Sequence, residues 1–284
     1  MKKFFYIILA LFLSLSYSQE TVRKKNRKTS EEYYVLKSNK EVRQGLYKKY
    51  FYKKEIHISG QYLNGKKDGV WNYHHGNGKL SKVGRFKNGV KDSIWTSYAF
   101  DGEIIGRVGF VNGKENGKWD FLYSDTKNQR SIGRYENGEK IGVWEYFNKH
   151  GVLIHKFDHT SKNLLYYTSN EDAIEKQPNE LENDSKNHKP LILGGKQSLM
   201  EHVKLEFDYP EEAIQNLVSG KVYVFFTVDE NIHMKDFFVQ GSPGYGIWEE
   251  AVRLVKTGPT WIPKKVNGSY EQSKGRFPIT FRIQ

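Results

Sequence analysis

Gly69-Val70-Trp71-Asn72-Tyr73, then Gly76-Asn77-Gly78-Lys79, then Gly84-Arg85-Phe86-Lys87-Asn88-Gly89, is one unit of a pattern that returns along the chain. Its tryptophans are Trp71, Trp95, Trp119 and Trp144, spaced 24, 24 and 25 apart. Asn64-Gly65, Asn88-Gly89, Asn112-Gly113 and Asn137-Gly138 keep the same intervals. Two independent markers sharing one period define an internal repeat. Upstream, Gly45-Leu46-Tyr47 and Gly60 to Gly65 fit a degenerate unit, with Tyr47 standing 24 residues before Trp71.

Inside a unit the spacing reads as two strands. Gly69, Trp71 and Tyr73 share parity and therefore a face, as do Gly84 and Phe86. Gly-Asn-Gly and Asn-Gly accept positive φ and mark tight turns. Each unit is then a β-hairpin with rings on one face and Lys, Arg, Asn and Glu on the other. The expected ring core is Trp71, Trp95, Trp119, Trp144, Tyr73, Phe86, Phe110, Phe121, Tyr135 and Tyr146. A lone hairpin is marginal in water, so neighbouring hairpins must bury each other's rings. Burial of one indole removes roughly 200 Å² from water, a gross gain of about 5 kcal/mol before chain entropy is subtracted. The expected fold is mainly β: an elongated array of repeated β-hairpins with a 24-residue period, followed by a small α+β domain.

Composition limits the function. The 284 residues contain no cysteine, which excludes disulfides, thiolate metal sites and thiol nucleophiles. The net charge of +12 is uneven. Residues 1–40 hold 9 basic and 3 acidic side chains (+6), residues 41–167 hold 22 and 13 (+9), and residues 168–284 hold 14 and 17 (−3). A basic array suggests a polyanion or an anionic membrane as partner; the plainer reading is a solvated surface studded with lysine. Residues 1–18 read as a signal peptide, with Lys2-Lys3, the apolar run Phe4 to Leu15, and Ser16-Tyr17-Ser18 at the cleavage point. The alternative is an uncleaved inner-membrane anchor. Residues 19–40 form a basic N-terminal segment.

The units, Gly-x-Trp-x-Tyr, a turn, then Gly-x-Phe-x-Asn-Gly, resemble MORN-type repeats in the antitoxin-like bacterial variant, over residues 41–167. That resemblance implies a twisted sheet of hairpins and contact with membrane, lipid or protein. Two departures stand out: Ser93 where other units have Gly, and a longer polar stretch from Ser124 to Ser131.

Residues 168–198 are polar and acidic, and read as a flexible linker. Residues 199–284 then change period. Tyr209-Pro210-Glu211-Glu212 opens a helix, Lys221 to Val228 alternates as a strand, and Met234 to Gln240 is a second strand. Ile247, Trp248, Ala251, Leu254 and Val255 recur at helical spacing, and Arg276 to Ile283 is a last strand. The order α-β-β-α-β, with Tyr209-Pro210, Trp261-x-Pro263 and Pro278-Ile279-x-Phe281-x-Ile283, resembles the C-terminal domain of TonB-family energy transducers. The resemblance implies a periplasmic module that takes an extended peptide of an outer-membrane transport partner by strand addition. Carried over, the partner-binding candidates are Tyr209, Pro210, Phe277, Ile279, Phe281 and Ile283; they could equally serve only as a helix cap and as sheet.

No catalytic motif is present: no Gly-x-Ser-x-Gly, no phosphate loop, no HExxH. His74 and His75 are adjacent, and His155 and His159 share parity without a third ligand, so no metal and no cofactor are expected. The sequence therefore reads as a non-catalytic, exported cell-envelope interaction protein of the periplasm. Its expected partner is an envelope or outer-membrane protein. The alternatives are an array that binds anionic lipid or glycan, and a divergent transducer that keeps its N-terminal anchor. No nucleic-acid partner is expected, and the oligomeric state is left open.

Overall fold

The structure is a computed structural model that describes residues 20–51, 55–168, 171–172, 174, 187–241 and 243–283. The signal-peptide reading (1–18) and most of the acidic linker lie outside the described residues. Thirteen antiparallel strands follow one another in sequence order as a single meander. They are β1 (Thr21–Asn26), β2 (Glu31–Leu36), β3 (Arg43–Tyr50), β4 (Ile56–Leu63), β5 (Lys66–His74), β6 (Leu80–Lys87) and β7 (Val90–Tyr98). Then come β8 (Ile104–Val111), β9 (Lys114–Leu122), β10 (Gln129–Glu136), β11 (Glu139–Phe147), β12 (Leu153–Asp158) and β13 (Asn163–Tyr167). The hairpin array is thus present and begins at Thr21, earlier than residue 41. Strand β1 escaped the sequence because Thr-Val-Arg-Lys-Lys-Asn has a single aliphatic and no ring to mark the period, and β2, Glu-Glu-Tyr-Tyr-Val-Leu, lacks the Gly-x-Trp marker.

The turns explain the Asn-Gly clock. Asn64, Asn88, Asn112 and Asn137 take φ of 50, 52, 50 and 52°, and the glycines after them 79, 87, 81 and 88°. Two successive positive φ values make the turn whose twist matches the flanking strands. A second device repeats five residues later. At Gly69, Ser93, Gly117 and Gly142 the backbone again has positive φ, and the ladder slips, so that Gln61 pairs Asp68 while Ser59 pairs Asn72. The bulge lays the following tryptophan across the preceding strand. A Cβ at Gly60 would stand 2.3 Å from Trp71, at Gly84 2.0 Å from Trp95, and at Gly133 2.1 Å from Trp144. Glycine is required there because the indole lies on bare backbone.

The rings form a ladder. Trp71–Phe86 and Phe86–Trp95 centroids are 5.7 and 5.2 Å apart, and Tyr135–Trp144 5.1 Å, all edge to face. Trp71, Trp95 and Trp144 are 0, 2 and 1% exposed. The third unit differs. Val108 occupies the place of Gly60, Gly84 and Gly133, and its Cβ excludes an indole. Trp119 is therefore only half-buried and stacks on Phe121 at 4.2 Å, while Phe121 takes the bare backbone at Gly106.

Not every cation lies opposite the rings. Lys67, Lys91 and Lys140 sit on the ring face, their ammonium groups 4.2, 4.8 and 4.8 Å from the ring centroids of Trp71, Trp95 and Trp144. Each stands four residues before its tryptophan and so shares its parity.

The C-terminal part contains β14 (Leu191–Ile192), α1 (Gly195–Glu206), α2 (Glu211–Gln215), β15 (Gly220–Val228), β16 (Met234–Gln240) and α3 (Ile247–Lys256). It ends with β17 (Trp261–Ile262), β18 (Lys264–Val266), β19 (Ser269–Glu271) and β20 (Ser273–Phe281). The α-β-β-α-β order holds from α2 onward, with strand order β16-β15-β20 and α3 on one face. Helix α1 and the β18–β19 hairpin are additions to it.

The linker reading fails at its C-terminal end. His188 bridges Lys265, Leu191 and Ile192 pair with Ile262 and Trp261, and Leu193 is fully buried. The apolar triplet Leu191-Ile192-Leu193 drives this: Leu193, with Leu191 against it, fills a core shared with Trp144, Tyr146, Phe157 and Leu164 of the array, while Ile192 packs on the core beneath α3. The C-terminal domain therefore packs on the ring face of the sheet.

Candidate functional site

Two features of the fold can engage a ligand: a free sheet edge, and the cleft between the two halves. The edge comes from β20. It pairs with β15 in unbroken register from Gly220↔Phe281 to Val228↔Ser273, and no strand among the described residues lies on its other side. Its residues alternate without a lapse. Phe277, Ile279 and Phe281 are 5, 3 and 0% exposed in the core beneath α3, while Lys274, Arg276, Pro278 and Thr280 face outward. Pro278 fits because an edge strand tolerates a missing N–H. The opposite edge, β16, is irregular: Asp236 takes φ 53° where the register with β15 shifts. Bulged edges resist strand pairing, so β20 is the regular one.

Outside the core, the flank of β20 is cationic and aromatic. The Arg276 guanidinium lies 4.4 Å from the Tyr223 ring, and Phe225 stacks on Phe238 at 4.6 Å. Phe238 is 58% exposed, and Tyr223 and Phe225 are half-buried.

The side chains proposed as partner contacts are thus mostly elsewhere. Phe277, Ile279 and Phe281 belong to the core, because alternation puts odd positions inward. Ile283 lies past the strand, its N–H donating to Ser219 Oγ at 3.3 Å. Tyr209 packs on Phe207 and Phe281, and its hydroxyl donates to the Val218 carbonyl at 2.6 Å. Pro210 is the N-cap of α2, whose Glu211 faces Lys49 of the array at 3.6 Å. Tyr209 and Pro210 hence hold the domain together and turn it toward its own sheet. The backbone of β20 remains unpaired along its outer side among the described residues.

The cleft lies between the ring face and helices α1 and α3, with a volume of about 360 Å³. It continues toward α2 as a second space of about 480 Å³ that shares Lys82, Lys91 and Glu206 with the first. Several polar bonds span it. Lys82 Nζ meets both Glu206 oxygens at 2.7 and 2.9 Å, the Ser124 N–H donates to Glu201 at 2.6 Å, and Lys140 donates to Thr260 at 3.2 Å. The Gly194 N–H donates to Nδ1 of buried His155 at 3.0 Å. The charge asymmetry of the sequence is therefore met in part within the chain, lysines of the sheet against single glutamates of the helices.

Burial sets the electrostatics of the cleft. It pushes Lys140 down to about 8, helped by the charge of Arg130. Lys91 is lowered by burial and by Lys82. His202 is held down to about 4, also by burial. Arg130 is 8% exposed, and its Nη1 has no hydrogen-bond partner.

Arg130 escaped the sequence reading. The register shows that it is the bulged residue between Gln129 and Ser131, as Ile105 and Ile154 are in β8 and β12. An arginine at a place where two sister units bury isoleucine, and the two earlier ones carry His57 and Ser81, was a readable signal. The longer loop from Ser124 to Asn128 shifts the period by one and hid it. His155 and His159, considered above as ligands, have other partners: His159 Nε2 meets the Tyr146 hydroxyl at 2.8 Å. Among the described residues no group of three or more His, Asp or Glu side chains could hold a metal ion.

Residues 206–283 match the family described as Gram-negative bacterial TonB protein C-terminal. The TonB-type match runs from the end of α1 through β20 and leaves the hairpin array outside it. A comparison with curated proteins found no match. Among solved structures, a mutant of S. aureus TarM in complex with fondaparinux, alpha-GlcNAc-glycerol and UDP is 9% identical, with a TM-score of 0.23, over 43% of this chain and 21% of that one. A second structure of TarM is 7% identical with the same TM-score, over 43% and 20%. The chain thus spans about a fifth of those proteins, a likeness too slight to bear on fold or function. Among the described residues no helix is long and apolar enough to cross a membrane.

Proposed function

We propose that this chain is a non-catalytic interaction protein of the cell envelope, whose TonB-type domain takes an extended peptide of an outer-membrane partner along the free edge of β20. One observation carries the reading: β20 is a nine-residue strand in continuous register on one side and unpaired on the other. An added strand gains backbone hydrogen bonds from that edge, and alternate side chains provide selectivity. The outward residues of β20 are Lys274, Arg276, Pro278 and Thr280, with no acid among them, so the edge favours a peptide carrying Asp or Glu. In this reading the array orients the domain from behind, because α1 and α2 are fastened to it through Glu206, Glu201 and Glu211.

The test is photo-crosslinking in cells from a probe placed at Thr280 and, separately, at Lys235 on the irregular edge. Adducts to an outer-membrane protein from Thr280 alone support the proposal. Equal adducts from both positions, or none from Thr280, defeat it.

A further inference from the structure

The third unit breaks the pattern of its neighbours at several places, and all of them meet in one cleft. Val108 displaces Trp119, leaving that indole half-buried beside the space. Glu115 stands where Lys67, Lys91 and Lys140 stand in other units. Arg130 stands where Ile105 and Ile154 stand. Departures from local rules that have no structural gain mark functional positions.

The cations there are unevenly matched. Lys82 is paired with Glu206, and Arg253 with Glu250 at 2.6 Å. Arg130 is not: its Nη1 is buried without a partner, and its guanidinium carbon lies 5.5 Å from the centroid of the Phe121 ring. The two acids closest in charge are otherwise engaged, since Glu201 accepts the Ser124 N–H and Glu206 takes Lys82 with both oxygens. Lys91 makes no ion pair with any described residue and rests over Trp95 and Phe110. Arginine stays charged in any protein environment, so a guanidinium buried without a full set of acceptors is costly unless something brings them.

We propose that this cleft binds a small molecule bearing an oxyanion (phosphate, sulfate or carboxylate), with Arg130 as its principal contact and Lys91 and Lys140 completing the charge. A guanidinium fork matches two oxygens of such a group, and the ammonium groups act as point charges beside it. The space of about 360 Å³ exceeds one inorganic anion, since a water occupies about 30 Å³. Trp119 and Tyr135 also line it, which fits an anion carried on a sugar-sized body. The site does not depend on the β20 edge, and the two can fail separately.

The experiment is isothermal titration of the full chain with inorganic phosphate, glucose 1-phosphate, glucuronate and neutral glucose. Saturable binding of at least one anion, and none of glucose, is expected; the tightest of the three names the source of the charge. Arg130→Gln and Lys91→Gln each weaken that binding by roughly tenfold or more, while Lys87→Gln on the exposed turn leaves it unchanged. Without ligand, Arg130→Gln melts at the same temperature as the parent or higher, the reverse of what a purely structural arginine gives. Should Arg130→Gln not fold, Lys91→Gln decides the matter alone. Absence of saturable binding, equal binding of glucose, or binding indifferent to both substitutions overturns the proposal. Crosslinking at Thr280 reports separately on the edge.

Discussion

Mild acid should loosen the seat of the C-terminal domain, and His155 is the residue through which this can be measured. Its Nδ1 accepts the Gly194 N–H at 3.0 Å. An amide can only donate, so Nδ1 must be bare and the ring neutral. The side chain is 1% exposed, and burial, aided by the neighbouring His188, depresses it from 6.5 to about 4. Because the folded value lies below the unfolded one, the unfolded chain binds the proton first. The contribution is whole above the unfolded value and is lost as pH falls from about 6.5 toward 4. At about 1.4 kcal/mol per unit, the full shift is worth about 3 kcal/mol, of which about 2 fall between about pH 7 and pH 5. Burial also lowers His202 to about 4 and His159 to about 3, so the parent loses more than this over the same range. The His155→Gln variant isolates the single residue, since its amide oxygen can accept the Gly194 N–H and does not titrate. Urea unfolding at the two pH values should show the variant losing about 2 kcal/mol less than the parent. Protection of the Gly194 amide, relative to its intrinsic exchange rate at each pH, should fall in acid in the parent only. Equal losses in both proteins would refute the argument, because His155 would then not be a buried neutral acceptor.

Further outcomes follow from the array. Gly84→Ala puts a Cβ 2.0 Å from the Trp95 indole and should cost about 3 kcal/mol in urea unfolding, whereas Gly76→Ala, with open space around it, should change stability by less than about 0.5. Trp144→Ala, from a site 1% exposed, should cost about 3–5 kcal/mol, and half-buried Trp119→Ala clearly less, by the same assay. Ser93→Gly relieves a φ of 60° on a non-glycine residue and should stabilise by up to about 1 kcal/mol, read as a rise in melting temperature.

How far the sequence could be read varies with the range of the interaction. Hairpins were legible because each rests on local chemistry: Asn-Gly for the turn, and a tryptophan at fixed distance from the glycine it covers. The face of the lysines is also available in the pattern, since Lys67 and Trp71 have equal parity, but a charged side chain ordinarily marks the solvent face. Cation and ring together hide the ammonium group from that rule. Helix α1 was missed because Gly195-Lys196-Gln197-Ser198-Leu199 opens with glycine, without a capping side chain, and has few apolar positions. At β20 the strand was legible and its orientation was not used: alternation alone assigns Phe277, Ile279 and Phe281 to the core. The docking of the two halves could not be read, because it depends on residues far apart in sequence, such as Lys82 with Glu206 and His155 with Gly194.

The same docking changes what the positive charge of the array means. An isolated basic sheet would offer its lysines to any polyanion, with affinity that salt abolishes. Here the ring face is covered, and its cations are sorted into two kinds. Lys49 and Lys82 meet acids of α2 and α1 and so hold the domain in place. Lys91 and Arg130 face the cleft with no acid in ion-pair reach among the described residues. Charges left over after docking are shielded from bulk ions by the walls of the cleft, so they act at short range on a small guest rather than at long range on a surface. A ligand held by Arg130 and Lys91 in a cleft that α1 and α3 also line would touch both halves and tighten them. Anion binding and domain seating are thereby linked, and linkage is reciprocal. An anion that stabilises the seat must bind more weakly when acid loosens it, so the affinity measured for the parent should fall between about pH 6.5 and 4 in step with the His155 transition. In the His155→Gln variant that fall should shrink. An affinity that tracks pH identically in both proteins would separate the cleft from the latch and leave them as independent features of one fold.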